Sequence, residues 1–364
     1  MIVGVFSPVL NWCGGQEWVA VNIINALKEN GHQVVVLTDS PLNHNKFDRI
    51  FNKKVTIDQQ VILPLRFFSP TNYHNIYTDL IRSIVLKSKC DVLIDTFSNA
   101  VLPGVNCCYI DYPLLKRMET KLPLMRNKIY FYPYKNYLIS RKNEIKKKLV
   151  FVNSKFTADA VKTEIGVVPK VLYPSVSNDI LNHSKIGKGT QRTNNVTTVA
   201  RICPQKRLEL IPYIAKLTNK DICFTIAGLL DSKETLRLLL KISKDLGVSE
   251  RVRIITNVKR EQLVKILLNS KAYLHPKKDE HFGISIVEAM ALGCIPVVHN
   301  SGGPKEFVPQ NQRFNNIHEA AEILEKVVYN WCSQESEQTS QDAKKFSENR
   351  FSKQFIKIFN SHFF

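Results

Sequence analysis

Seven residues lie between Glu280 and Glu288 in the stretch 279–308, DEHFGISIVEAMALGCIPVVHNSGGPKEFV. KKDEHFG reads as a loop, ISIVEAMALG as a helix ended by Gly293, CIPVVH as a strand and NSGGPKEFV as a second glycine-rich loop. Glu280 falls in the first loop and Glu288 about one turn into the helix. The backbone N–H groups of Phe282, Gly283, Ile284 and Ser285 open that helix. First-turn amides have no intrahelical acceptor, so they are placed to meet phosphate or sugar hydroxyls. A lone helical glutamate usually faces solvent, but Ile286, Val287, Ala289 and Met290 surround Glu288. A pair of acids lining a ligand crevice accounts for this pattern better.

Two further stretches carry groups suited to an anion. VARICPQKR puts Arg201 and Lys206 in the turn after a strand, where two cations suit a diphosphate and arginine can bind in a bidentate way. A solvated loop with ordinary surface charges is the alternative for that segment alone. Near the N-terminus, Gly14 and Gly15 precede a helix whose apolar positions Ala20, Ile24 and Leu27 repeat at helical spacing. Glycines there let backbone amides approach an anion closely. Taken alone, a Gly-Gly pair before a helix is more often a tight turn, and the spacing is not that of a dinucleotide fingerprint.

The elements that must position these groups alternate between short β-branched runs and helical stretches. One series of candidate strands is 2–6, 33–39, 91–95, 106–110 and 149–153; a second is 170–174, 196–200, 223–228, 251–255, 272–276 and 295–299. Continuous apolar strands separated by helices are the pattern of parallel sheets covered on both faces. Between the two series, 177–195 is polar and reads as a loop or linker. The expected fold is α/β, two doubly wound Rossmann-like domains, with ligands at the carboxyl ends of the strands. The domains expected are 1–172, 173–347 and a C-terminal helix, 348–364, that returns to the first.

Composition narrows the field. The 364 residues hold 51 Lys+Arg against 32 Asp+Glu, a net charge of +19, which favours an anionic partner. No apolar run reaches the ~18–20 residues of a membrane-spanning helix, and MIVGVFSPVLNWCGGQEW reads as a first strand rather than a secretory signal. None of the eight cysteines falls in a C-x-x-C pair or a metal-ligand spacing with histidine. They read as reduced, mostly buried thiols.

The E-x7-E spacing, the HFG between the acids and the SGGP loop resemble the retaining, nucleotide-sugar-dependent glycosyltransferases of family 4, which have the GT-B fold. EHFGISIVEAMALGCIPVVHNSGGPKE is especially similar to the eukaryotic mannosyltransferases of the asparagine-linked glycosylation protein 11 type, which extend a dolichol-linked oligosaccharide from GDP-mannose. The likeness extends more thinly to GGQEW, VNSKFTADAVK, YPSV and RICPQKR. The resemblance implies two domains with a crevice between them. It implies that Arg201 and Lys206 hold the donor diphosphate and assist its departure, that Glu280 lies near the transferred sugar, and that Glu288 binds the nucleotide ribose. It places Gly15 in the glycine loop facing the phosphates and acceptor. It also implies no metal and no cofactor, the cations and backbone amides stabilising the leaving group.

One residue departs from the family pattern. Where the related mannosyltransferases usually have histidine before YP, this chain reads IDYP with Asp111, a carboxylate suited to a sugar hydroxyl or to positive charge at the anomeric carbon. Among the histidines, His281 adjoins Glu280 and is expected to touch donor. His299 is as suited to capping the SGGP loop, and His275 reads as a packing residue.

The segment 116–148 holds eleven Lys/Arg and two Glu, interleaved with Tyr130, Phe131, Tyr132, Tyr134 and Tyr137. Aromatics with cations fit an anionic membrane surface first, a plain solvated face second and nucleic acid third. The resulting expectation is a glycosyltransferase moving a mannose- or glucose-type sugar from a nucleotide diphosphate sugar to a lipid-linked oligosaccharide or other glycan. It would sit peripherally on the cytoplasmic face of a membrane, with no nucleic acid partner. A nucleotide-sugar epimerase of the same fold and a basic nucleic-acid-binding protein are the alternatives.

Overall fold

A computed structural model describes residues 1–69, 73–119, 125–183 and 192–364. The chain forms two compact units, 1–175 with 348–364, and 176–347. Each unit is built on one parallel sheet.

Strands β1 (Ile2–Phe6), β2 (Gln33–Thr38), β3 (Gln59–Ile62), β4 (Val92–Asp95), β5 (Cys107–Ile110), β6 (Leu149–Val152) and β7 (Lys170–Val171) form the first sheet, in the order β3-β2-β1-β4-β5-β6-β7. All its pairings are parallel. The central strands are buried on both faces, which is why VLID, CCYI and LVFV read as nearly continuous apolar runs. Strand β7 corrects the expected division of strands: KVLYP does not begin the second series but pairs with β6 at the edge of the first sheet.

The helix Gly15–Glu29 packs against Glu348–Phe363, whose Phe351, Phe355, Ile356 and Phe359 are buried. Phe355 also meets Phe151 of β6, at 5.6 Å between ring centroids. The closing segment is thereby part of the first unit's core.

The second sheet comprises β8 (Thr193–Val199), β9 (Cys223–Gly228), β10 (Val252–Thr256), β11 (Ser270–His275), β12 (Ile295–His299) and β13 (Arg313–Phe314), in the order β10-β9-β8-β11-β12-β13, again all parallel. The polar stretch 177–195 is not a plain linker. It contains a short helix, Asn178–Leu181, whose Ile180 and Leu181 are buried, and it ends in the first residues of β8; 184–191 lie outside the described residues.

The basic segment also differs from expectation, and 120–124 within it lie outside the described residues. In the helix Met125–Ser140, Phe131, Tyr134 and Leu138 face the first unit's core. The Tyr134 hydroxyl accepts the Val101 N–H at 3.0 Å, and Tyr130 donates to the His74 carbonyl. Most of the rings expected at a membrane are therefore structural. The outward stripe is Ile129, Tyr132 and Ile139, flanked by exposed Lys128 and Lys135. Lys148 is structural too. Its ammonium donates to the carbonyls of Leu102 and Val105 at 3.0 and 2.8 Å.

Candidate active site

The order of the second sheet decides which side chains meet. Strands β8 and β11 are neighbours, so the loops leaving their carboxyl ends lie side by side. The loop after β8 turns through Pro204–Lys206 and carries Lys206; the loop after β11 carries Lys277 and Glu280. Residues more than seventy positions apart are thereby brought into contact.

Glu280 is buried, with 7% of its surface exposed. Its Oε2 accepts from Lys206 Nζ at 2.8 Å and lies 2.9 Å from His275 Nε2. Its Oε1 accepts from Lys277 Nζ at 3.0 Å and from the His281 N–H at 3.2 Å. Burial pushes the carboxyl pKa up, but the ammoniums of Lys206 and Lys277 and the His275 bond outweigh it and hold the group well below the usual carboxylate range. Glu280 is therefore a fixed anion rather than a proton donor.

His275 corrects an expectation. It is not merely packed but bonded to Glu280, and burial lowers its own pKa, keeping the ring neutral. A neutral ring donating from Nε2 leaves Nδ1 unprotonated, and that atom has no hydrogen-bond partner among the described residues.

The backbone beneath Glu280 is set by the SGGP loop. The Gly303 N–H donates to the Glu280 carbonyl at 2.8 Å, and Asp279, at φ 53°, donates its N–H to Ser301 Oγ at 2.7 Å. Gly302, at φ 73°, lies so close that a Cβ there would stand 2.2 Å from the Glu280 carbonyl oxygen. His299, at the end of β12, meets the same Ser301 hydroxyl at 2.9 Å, so it braces this loop.

Gly283, at φ 88°, leads into the helix Ile284–Ala291. The amides of Ile284 and Ser285 are in its first turn, where no intrahelical acceptor exists. Below them the Tyr273 hydroxyl lies 2.8 Å from Ser285 Oγ and 3.1 Å from the Val199 carbonyl, tying the turn to the sheet. Phe282 is buried against Phe307 and Phe346, and His281 is half-buried.

Glu288 is partly buried, and its Oε1 lies 4.0 Å from Arg260 Nη1. Burial raises its pKa; Arg260 opposes the shift and Asp179 adds to it. Arg260 binds Asp179 through Nε and Nη2, at 3.1 and 3.2 Å, and also reaches Ser177. Arg201 is separate from the Glu280 cluster, exposed, and paired with Asp231 at 3.1 Å.

Gly15 and Asp111 belong to the first unit. Gly15 is the exposed first residue of its helix, behind Gly14, whose N–H donates to Glu17 Oε2 at 2.8 Å. Asp111 follows β5. Its N–H donates to Asn99 Oδ1 at 2.7 Å, and its carbonyl accepts from Asn153 Nδ2 at 3.0 Å and Thr157 Oγ1 at 3.0 Å.

Lys277 and Arg260 carry no motif and were not among the expected site residues. A signal existed for both. Lys277 lies three residues before the first acid, and Arg260 follows the carboxyl end of a strand, as Arg201 does.

Comparison with known proteins places this geometry. Residues 13–179 match the family described as Glycosyltransferase Family 4, and residues 181–346 match Glycosyl transferases group 1. The chain is 30% identical over 235 residues to a GDP-Man:Man(3)GlcNAc(2)-PP-Dol alpha-1,2-mannosyltransferase of Dictyostelium discoideum, a match spanning 58% of this chain and 46% of that protein. It is 27% identical over 389 residues to the protein of the same name from Candida albicans, spanning 87% and 63%. The chain thus spans about half to two thirds of the length of these relatives. A solved glycosyltransferase from Rickettsia africae superposes with a TM-score of 0.72 at 15% identity, covering 99% of this chain and 98% of that one. The fold is GT-B, with a family match on each of its two Rossmann-like units, and the chain belongs to the family 4 glycosyltransferases.

Proposed function

We propose that this chain is a retaining hexosyltransferase that moves mannose from GDP-mannose onto a lipid-linked oligosaccharide. The observation that carries the reading is the cluster at Glu280. In the unit matched by the group 1 model, one acid of the E-x7-E pair gathers two ammonium groups beside an open first helical turn. The names of the relatives supply the donor and acceptor class.

In this reading Lys206 and Arg201 neutralise the diphosphate as its bond to the anomeric carbon breaks, and the amides of Ile284 and Ser285 take phosphate or sugar oxygens. Arg201 is suited to this because its partner Asp231 is also exposed, so the pair is readily exchanged for a ligand. Glu280, ionised throughout, faces the sugar as hydrogen-bond acceptor and electrostatic stabiliser. Glu288 accepts from the ribose hydroxyls. Gly15 and Asp111, both residues of the first unit, serve the acceptor. With cations supplying the charge, transfer needs no divalent metal.

The lipid-linked acceptor calls for a membrane surface, and the stripe of Ile129, Tyr132 and Ile139 between Lys128 and Lys135 supports peripheral docking, which we assign to the cytoplasmic face. Among the described residues no helix is long and apolar enough to cross a membrane.

The test is transfer itself. Purified protein is offered GDP-mannose, UDP-glucose or UDP-N-acetylglucosamine with a polyprenyl-diphosphate oligosaccharide. We expect a product one hexose heavier from GDP-mannose, with the α configuration retained. Hydrolysis or epimerisation of donor without transfer to any acceptor would overturn the reading.

A further inference from the structure

We propose that Lys277 is a positioning residue of the transfer site, holding the Glu280 carboxylate in place when Lys206 leaves it for the donor diphosphate. The proposal rests on the reading of Lys206 as a diphosphate cation.

Its ground is the division of labour on one carboxylate. Lys206 occupies Oε2 and Lys277 occupies Oε1, so each ammonium has its own oxygen. The two lysines are tethered differently. Lys206 comes from the Pro204–Lys206 turn after β8, a separate element, and its contact with Glu280 is a side-chain contact alone. Lys277 sits three residues before Glu280 in the same loop. That loop is fastened by the Gly303 N–H on the Glu280 carbonyl and by Ser301 on the Asp279 N–H. The Lys277 pair is part of the loop's own scaffold, whereas the Lys206 pair is a contact between two loops. A diphosphate, richer in charge than a carboxylate, takes the ammonium that can be given up.

Without Lys277 that exchange would strand a buried anion. Among the described residues, the ionisable groups that face Glu280 are Lys206, His275 from β11 and Lys277, with the Tyr273 hydroxyl on the same strand sensing its charge. His275 is held neutral by burial, so it supplies a hydrogen bond but no charge. Once Lys206 has moved, Lys277 is, among the described residues, the cation left on Glu280. A buried carboxylate that keeps only neutral donors takes up a proton or turns away. Either change would remove the fixed anion from beside the transferred sugar.

The experiment follows the Glu280 carboxyl directly. Protein labelled with ¹³C at the glutamate carboxyl carbon is titrated by NMR, the Glu280 signal being identified by its loss in Glu280→Gln. Variants are Lys206→Met, Lys277→Met, the double variant and Lys277→Arg, each checked for folding by circular dichroism. In Lys206→Met the signal should still titrate low. In the double variant it should titrate about one unit or more higher, as expected for loss of a cation at this range. Saturating GDP or UDP should reproduce that rise in Lys277→Met but not in wild type, and Lys277→Arg should restore wild-type behaviour. The acid limb of kcat, which reports the donor-bound enzyme, should move up in step in Lys277→Met, while that of kcat/KM stays near wild type.

Equal titration of Glu280 in Lys206→Met and the double variant would overturn the role of Lys277, whatever the nucleotide does. Unchanged affinity for GDP and UDP in Lys206→Met would overturn instead the diphosphate reading of Lys206. If Lys277→Met does not fold, Lys277→Gln replaces it in the same comparison.

Discussion

A Cβ on Gly302 would stand 2.2 Å from the carbonyl oxygen of Glu280, closer than any side chain can approach. The positive φ of Gly302 adds to the constraint. Gly302→Ala should therefore push the Glu280 loop off its seat, costing about 1–3 kcal/mol of stability through backbone strain. Transfer should fall far more than the melting temperature. A variant with wild-type kcat/KM would show that the loop's seat is irrelevant to the chemistry.

The two cations of the VARICPQKR turn should behave differently. Each charge-assisted hydrogen bond to a diphosphate is worth roughly 1.5–3 kcal/mol, about ten- to a hundred-fold in affinity. Lys206→Ala and Arg201→Ala should both weaken donor binding by that order in calorimetric titration. Only Lys206→Ala should also change the melting temperature, because Lys206 holds a buried carboxylate whereas Arg201 and Asp231 are both exposed.

A pH dependence of folding should arise within the first unit. Asp79 is buried beside Arg82, with Asp39, Arg66 and buried Asp95 in the same group. Burial pushes its pKa from the ordinary 3.8 up to about 7, against the pull of Arg82. A raised folded value means stability that is present below about pH 4 and lost as the pH rises through about 7. Asp79→Asn should match wild type in acid. Above neutrality it should be the more stable protein, the gap opening by up to about 1.4 kcal/mol per pH unit across the window. Urea midpoints at pH 4, 6 and 8 would show it, and a constant gap would refute the assignment.

Membrane docking is tested on the outward stripe of Met125–Ser140 rather than on every lysine of the segment. Lys148 is committed to the carbonyls of Leu102 and Val105, so Lys148→Ala should lower stability by about 1–3 kcal/mol. The surface variant Lys128→Glu/Lys135→Glu should instead leave the fold intact and weaken co-sedimentation with anionic vesicles, at about 1 kcal/mol per lysine. Ile129→Ser/Ile139→Ser should remove the part of the binding that survives high salt. Wild-type pelleting by both would mark this stripe as an ordinary solvated face.

Legibility in the sequence followed burial. Strands β1, β2 and β4 to β6 announce themselves as apolar runs because both their faces are covered. The edge strands β3, QQVI, and β13, two residues long, have no such run and no local signature. KVLYP is equally apolar whichever sheet it joins, and its pairing with β6 is a non-local choice. In the site, the two acids and the open helical turn could be read because they share one loop and helix. The bond between Lys206 and Glu280 could not, since it depends on β8 lying beside β11. Composition gives a helix no inside, so Phe131 and Tyr134 could not be told from exposed Tyr132; only packing against the core turns Phe131, Tyr134 and Leu138 inward.

The closing helix Glu348–Phe363 belongs to the unit that the chain leaves at residue 175. On a ribosome this sets an order of completion. The stretch 176–347 contains every strand of its own sheet and is able to close as soon as it has emerged. The earlier unit lacks Phe351, Phe355 and Phe359 until synthesis has passed them, leaving the face of Gly15–Glu29 that they cover open to water. Of these two units, the one whose synthesis starts earlier is therefore completed later, and a chain stalled or clipped before Phe351 would expose that apolar face to chaperones and proteases.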